Sequence, residues 1–198
     1  MATLTLRPNA TVANPSTHAS TVVSFSLYPN TGESAYEDID EVISDDDTTY
    51  LQASNTHNQS GVDLGLPNHT TETGTINSVK VYGIVRNTNA RFDKTVIFGV
   101  YIGSTYSDSN PEYIGSTSYV SKSATWTTNP DTEIAWTWDN IDDLQVVLQI
   151  SFGALGRGGE GYGRCTQLYV EVDYEEATGT ATQLYTITDG LNQFTCEQ

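Results

Sequence analysis

The chain is short of everything that staples a small protein or gives it a positive surface. Its 198 residues include two cysteines, one methionine and eight Lys plus Arg. Cys165 and Cys196 are too few for a disulfide framework or a four-thiolate zinc site. They are either free thiols or a single bridge from a late strand to the C-terminal tail, and a chain made in the cytoplasm favours free thiols. Eight cations against 25 acidic residues leave a formal charge of −17. That charge repels phosphates and anionic lipids, and so few cations make no basic stripe, so neither nucleic acid nor a membrane is an expected partner. No run approaches the roughly 18 apolar residues of a membrane span.

Helical periodicity is nearly absent, and there is no strand–helix alternation, which excludes a parallel α/β sheet. The opening Met1-Ala2-Thr3-Leu4-Thr5-Leu6-Arg7-Pro8 has neither the basic region nor the apolar core of a secretory signal. The expectation is synthesis in the cytoplasm, with release in a particle if the protein works outside.

What the chain does have is short alternating runs of Val, Ile, Tyr and Leu in a background rich in Thr, Ser, Gly and Asn. Strands are predicted over 3–7, 21–28, 48–53, 76–85, 92–102, 112–120, 134–138, 145–152 and 166–174. In the last of these Leu168, Val170, Val172 and Tyr174 face inward. The polar stretches 55–74 and 104–111 read as loops. A helical turn is predicted at 139–144, with Asp139 as N-cap. Strands at this spacing predict an all-β, antiparallel β-sandwich, jelly-roll-like, over 1–174. Residues 175–198 follow as a C-terminal arm or extra strand. In that arm Thr182-Gln183-Leu184-Tyr185 echoes Thr166-Gln167-Leu168-Tyr169. Leu184, Tyr185, Ile187 and Phe194 are the residues expected to carry assembly, by pairing with an exposed edge of a neighbour. The alternative is a hairpin folded back on its own sheet.

Several clusters invite a functional reading. Asp45, Asp46 and Asp47 close the densest acidic segment, and clustered carboxylates are what Ca²⁺ takes. The segment lacks the central glycine and terminal glutamate of an EF-hand, and a solvated turn, in which Asp accepts local backbone hydrogen bonds, is the favoured reading. No cofactor is expected, Ca²⁺ at Asp45, Asp46 and Asp47 being the one candidate. Trp126, Trp136 and Trp138 can stack against sugar rings, but tryptophans also fill sandwich cores. Spaced two apart on a strand, Trp136 and Trp138 share a face, which favours the core.

His18, His57 and His69 lie in loops without ligand spacing. No Gly-x-Ser-x-Gly elbow is present, and no pair of carboxylates is singled out, so catalysis is not expected. The Gly-rich 157–164 segment lacks the ending of a phosphate loop and reads as a hairpin tip. Asn9, Asn58 and Asn68 sit in glycosylation sequons, at about the frequency that a chain so rich in Ser and Thr produces by chance.

Five stretches, taken as a set, carry a resemblance. They are Leu4-Thr5-Leu6-Arg7-Pro8-Asn9, the acidic block from Tyr36 to Tyr50, Gly74-Thr75-Ile76-Asn77-Ser78-Val79, the block from Asn129 through Trp136 and Trp138 to Gln145, and Cys165 through Tyr174. Together they resemble uncharacterised jelly-roll-like structural proteins of tailed phages and archaeal tailed viruses. The resemblance spans 4–174 and transfers no catalytic residue. It implies a virion structural protein, a decoration, turret or tail component, that binds copies of itself and other virion proteins. The alternative is a lectin-like module that binds a host glycan. An enzyme built on a jelly roll is a third possibility.

Overall fold

In a computed structural model of the chain the described residues are 1–12, 25–29, 34–53, 59–152, 161–177, 185–188 and 193–196. They form two antiparallel sheets packed face to face, so the predicted sandwich is what the chain adopts.

The long strands are β6 (Gly74–Asn87) and β12 (Gly163–Glu176), paired along almost their whole length. On the outer edge of β6 lies β10 (Val120–Trp126). The other edge of β12 is shared. Its C-terminal half takes β1 (Ala2–Leu6), and its start takes β4 (Tyr50–Gln52), itself paired with β3 (Ser26–Tyr28). The second sheet is centred on β11 (Gln145–Phe152), between β5 (Gln59–Gly65) and β7 (Lys94–Ile102). β2 (Ala10–Thr11) pairs with β5, while β8 (Thr105–Asp108) and β9 (Glu112–Tyr113) pair with β7. From β4 to β7 the chain alternates between the sheets, and it does so again from β9 to β12, in the manner of a jelly roll.

Alternation in sequence fixes which faces meet. Val79, Val81 and Val85 of β6 and Leu168, Val170 and Val172 of β12 point inward and are fully buried. Opposite them lie Val96, Phe98 and Val100 of β7 with Val146, Leu148 and Ile150 of β11. Each such side chain contributes about 1.5–3 kcal/mol by leaving water. Gly83 admits the Phe98 ring between the sheets, since a Cβ there would sit 2.8 Å from the ring.

Some predicted elements differ. The 55–74 stretch is no loop throughout, because its 59–65 portion is strand β5 with Val62 and Leu64 buried. Only two of those seven residues are large and apolar, so pairing with β11 and β2, not hydrophobicity, makes the strand. β8 likewise occupies part of the expected 104–111 loop. Residues 134–137 are not strand, and Trp138 opens the helix α1 (Trp138–Asp142). Its N-cap is Thr137, not Asp139: Thr137 and Asn140 satisfy each other's backbone N–H in a capping box. Beyond β12, β13 (Tyr185–Thr188) and β14 (Gln193–Cys196) form a hairpin that is a two-stranded sheet of its own.

Two predictions test this packing. Gly83→Ala should lower stability by about 1–3 kcal/mol in chemical denaturation, because the Phe98 ring must move. Lys94, almost wholly buried on β7, has its ammonium pushed down to about 8 by burial, against the opposing pull of Asp93. Between that value and its ordinary 10.5 the unfolded chain holds more protons, so this group's cost fades as pH rises. Lys94→Met should therefore be as stable as wild type or more stable at pH 7, by up to roughly 1 kcal/mol. The gap should close between about pH 8 and 10.

Candidate functional site

The acidic segment is stitched into the gap that β1 and β4 leave along β12. Leu168 N–H donates to the Ile39 carbonyl at 2.8 Å, and Gln167 Nε2 donates to the Glu41 carbonyl at 2.5 Å. β12 bulges between Cys165 and Gln167, and Thr166 there donates its hydroxyl to Asp45 Oδ1 at 3.0 Å. Asp45 also accepts from the Thr49 hydroxyl at 2.9 Å. Asp46 stands in the left-handed region, φ 58°, and accepts from Ser44. Asp47 Oδ1 accepts from Arg86 at 2.7 Å, Arg164 at 3.0 Å and the Tyr119 hydroxyl at 3.1 Å. The three carboxylates thus serve three different sets of partners. Among the described residues no group of three or more His, Cys, Asp or Glu is placed to hold a metal ion. Burial raises the Glu41 carboxyl above its ordinary value, against a lowering hydrogen bond from Thr49.

Two aromatic stacks lie on the outer face of the first sheet, and Asp47 ties together the arginines of one of them. In one, the rings of Tyr28 and Tyr50 stack at 4.5 Å, and the Arg164 guanidinium lies 4.1 Å from the centre of Tyr50. Arg86, paired across the strands with Arg164, lies over Tyr119 at 4.9 Å. In the other, Tyr82 and Tyr169 stack at 4.8 Å, with Lys80 over the first ring and Arg7 over the second. Four of the chain's eight cations are held this way. Sequence reasoning missed these stacks because their members come from strands far apart in the chain. The tyrosine and arginine positions on alternating strands were the available signal.

The three tryptophans do not form one platform. Trp136 is in the core, 4% exposed, and its Nε1 donates to the Trp126 carbonyl at 3.1 Å. Trp138 is half-buried at the start of α1, donates to the Gly74 carbonyl at 3.1 Å, and meets Tyr174 edge-on and the His69 ring at a tilt. His69 offers both its backbone N–H and Nδ1 to Asp142 Oδ1, at 2.9 and 2.7 Å. That hydrogen bond holds the Asp142 carboxyl below its usual range. The pair anchors the 66–70 loop to α1; among the described residues no hydroxyl or thiol is hydrogen-bonded to the ring. Trp126, on edge strand β10, is half-buried and packs partly against the core.

Beside Trp126 is a groove of about 360 Å³ between the edge strands of the two sheets. Asp108, Ser109, Asn110 and Glu112 line it from β8, β9 and the turn between them. Trp126 and its neighbours on β10 line the other side. Lys122 Nζ meets Glu112 Oε2 at 3.3 Å, and Trp126 Nε1 donates to Ser107 Oγ at 3.2 Å, so the two sheets are tied at both places. Ser109 Oγ accepts from Phe98 N–H at 3.2 Å, which fixes the turn.

Of the remaining expectations, His18, His57, Asn58, Leu184 and residues 157–160 of the Gly-rich segment lie outside the described residues. Asn9 and Asn68 are exposed. In the C-terminal hairpin Tyr185 stands opposite Cys196 and Ile187 opposite Phe194. Cys165 is a free, fully buried thiol, pushed up to about 12 by desolvation.

No family model and no curated protein matches the chain. Among solved structures, a chain described as "Family 16 Carbohydrate Binding Module-2" is similar at a TM-score of 0.36 and 12% identity, over 62% of this chain and 76% of that one.

The thiol gives a direct check. In a Cys196→Ser background, Cys165 should stay unlabelled by a thiol reagent at pH 8 in the native protein and label fully in denaturant. Rapid labelling of the native protein would contradict its burial.

Proposed function

We propose that this chain is a structural component of a virion surface, acting through self-association and docking on other virion proteins, without catalysis. The observation that carries this reading is the hairpin β13–β14. It pairs within itself and, among the described residues, joins neither large sheet. A lone two-stranded hairpin is marginal in water, so it gains most by lying against another surface. The sandwich has strand edges at β10, β3 and β8 that a neighbour's strand can extend.

The placement of the motifs that resemble phage and archaeal viral proteins supports the same reading. Cys165 through Tyr174 is the body of β12, Gly74 through Val79 opens β6, and the acidic block is the segment stitched to β12. What these motifs have in common is framework, as expected of proteins related by architecture. Such a component would be made in the host cytoplasm and leave it within the particle.

A second reading, recognition of a host glycan, is favoured by one observation, the polar groove beside Trp126.

The assembly reading predicts a defined oligomer by light scattering for the full chain. Truncation after Glu176, which keeps β12 whole, should reduce that mass. A monomer in both forms would overturn it.

A further inference from the structure

We propose that the groove between β8, β9 and β10 binds a neutral, hydroxyl-rich oligosaccharide through Trp126, Asp108, Asn110 and Glu112. Trp126 supplies an apolar surface whose position is already fixed. Its Nε1 is bound to Ser107, and its carbonyl is clamped by Nε1 of the buried Trp136. With its polar atom occupied, the half-buried indole has carbon surface left for the C–H face of a sugar ring. Because both contacts exist before a ligand arrives, little ordering cost falls on binding.

Around that surface the polar groups suit hydroxyls. Each sugar hydroxyl both donates and accepts; carboxylates accept, and a carboxamide does both. Asp108 and Asn110 are exposed on the groove wall, and among the described residues neither side chain makes a hydrogen bond. Glu112 keeps one oxygen beyond its contact with Lys122. The groove follows β10 from Ser123 to Trp126, about 10 Å at strand rise, the length of a short oligosaccharide. Two carboxylates in a chain of formal charge −17 repel sulfated or uronic sugars, so the ligand is a neutral one.

The test uses the full-length chain and calorimetric titration with xylohexaose, cellohexaose, maltohexaose and chitohexaose, with polygalacturonate as the anionic comparison. Binding to at least one neutral hexasaccharide is expected. Asp108→Ala and Asn110→Ala should each weaken it about tenfold, with thermal midpoint and native mass unchanged. Both side chains are exposed, so these variants hold the question open even if Trp126→Ala fails to fold. The proposal is overturned if no neutral sugar binds at millimolar concentration, if both variants bind like wild type, or if polygalacturonate binds better. Native mass read on the same samples reports on assembly separately, so either reading can fail without the other.

Discussion

The structure depends on the antiparallel pairing of β12 with β6. Thirteen of β12's fourteen residues face a partner on β6, all but Thr166, with shifts at Cys165/Gln167 and Asp173/Tyr174. The first shift is productive. It frees Thr166 to reach Asp45 and Thr49, and the following residues to accept the acidic segment as a third neighbour. One strand edge thereby carries β1, a non-strand segment and β4 in turn, which closes the sheet without one long edge strand.

Charge is distributed by the same frame. With so few cations, the chain places half of them on tyrosine rings across the outer face of the first sheet and bridges two through Asp47. Exposed ion pairs weaken as salt shortens the screening length to about 3 Å at 1 M. Stacked guanidinium–ring contacts at 4–5 Å retain dispersion and desolvation terms that salt does not screen. Among the described residues the carboxylates other than the buried Asp38 and Asp63 reach the surface, where mutual repulsion opposes aggregation.

The long strands were legible because both of their signals agree. β7, β11 and β12 alternate, and turn residues bracket them. β5 was not, since Ser-Gly-Val-Asp-Leu reads as polar until its neighbours pair with it. Residues 134–138 misled for the opposite reason: the tryptophan spacing suggested a strand, while the Thr137–Asn140 capping box starts a helix. The core role of Trp136 followed from that spacing, though the strand it assumed is absent. The groove was beyond sequence reasoning. Asp108 and Trp126 are separated by a β-strand, a turn and a change of sheet, and only the packing of two edges sets them side by side.

That placement has an evolutionary consequence. Asp108, Asn110 and Glu112 sit on the short strands β8 and β9 and the turn joining them, while β6 and β12 run through the centre of the opposite sheet. Exchanges at Asp108, Asn110 or Glu112 leave the central ladder untouched. The rim is therefore free to change in sequence while the frame beneath it stays the same.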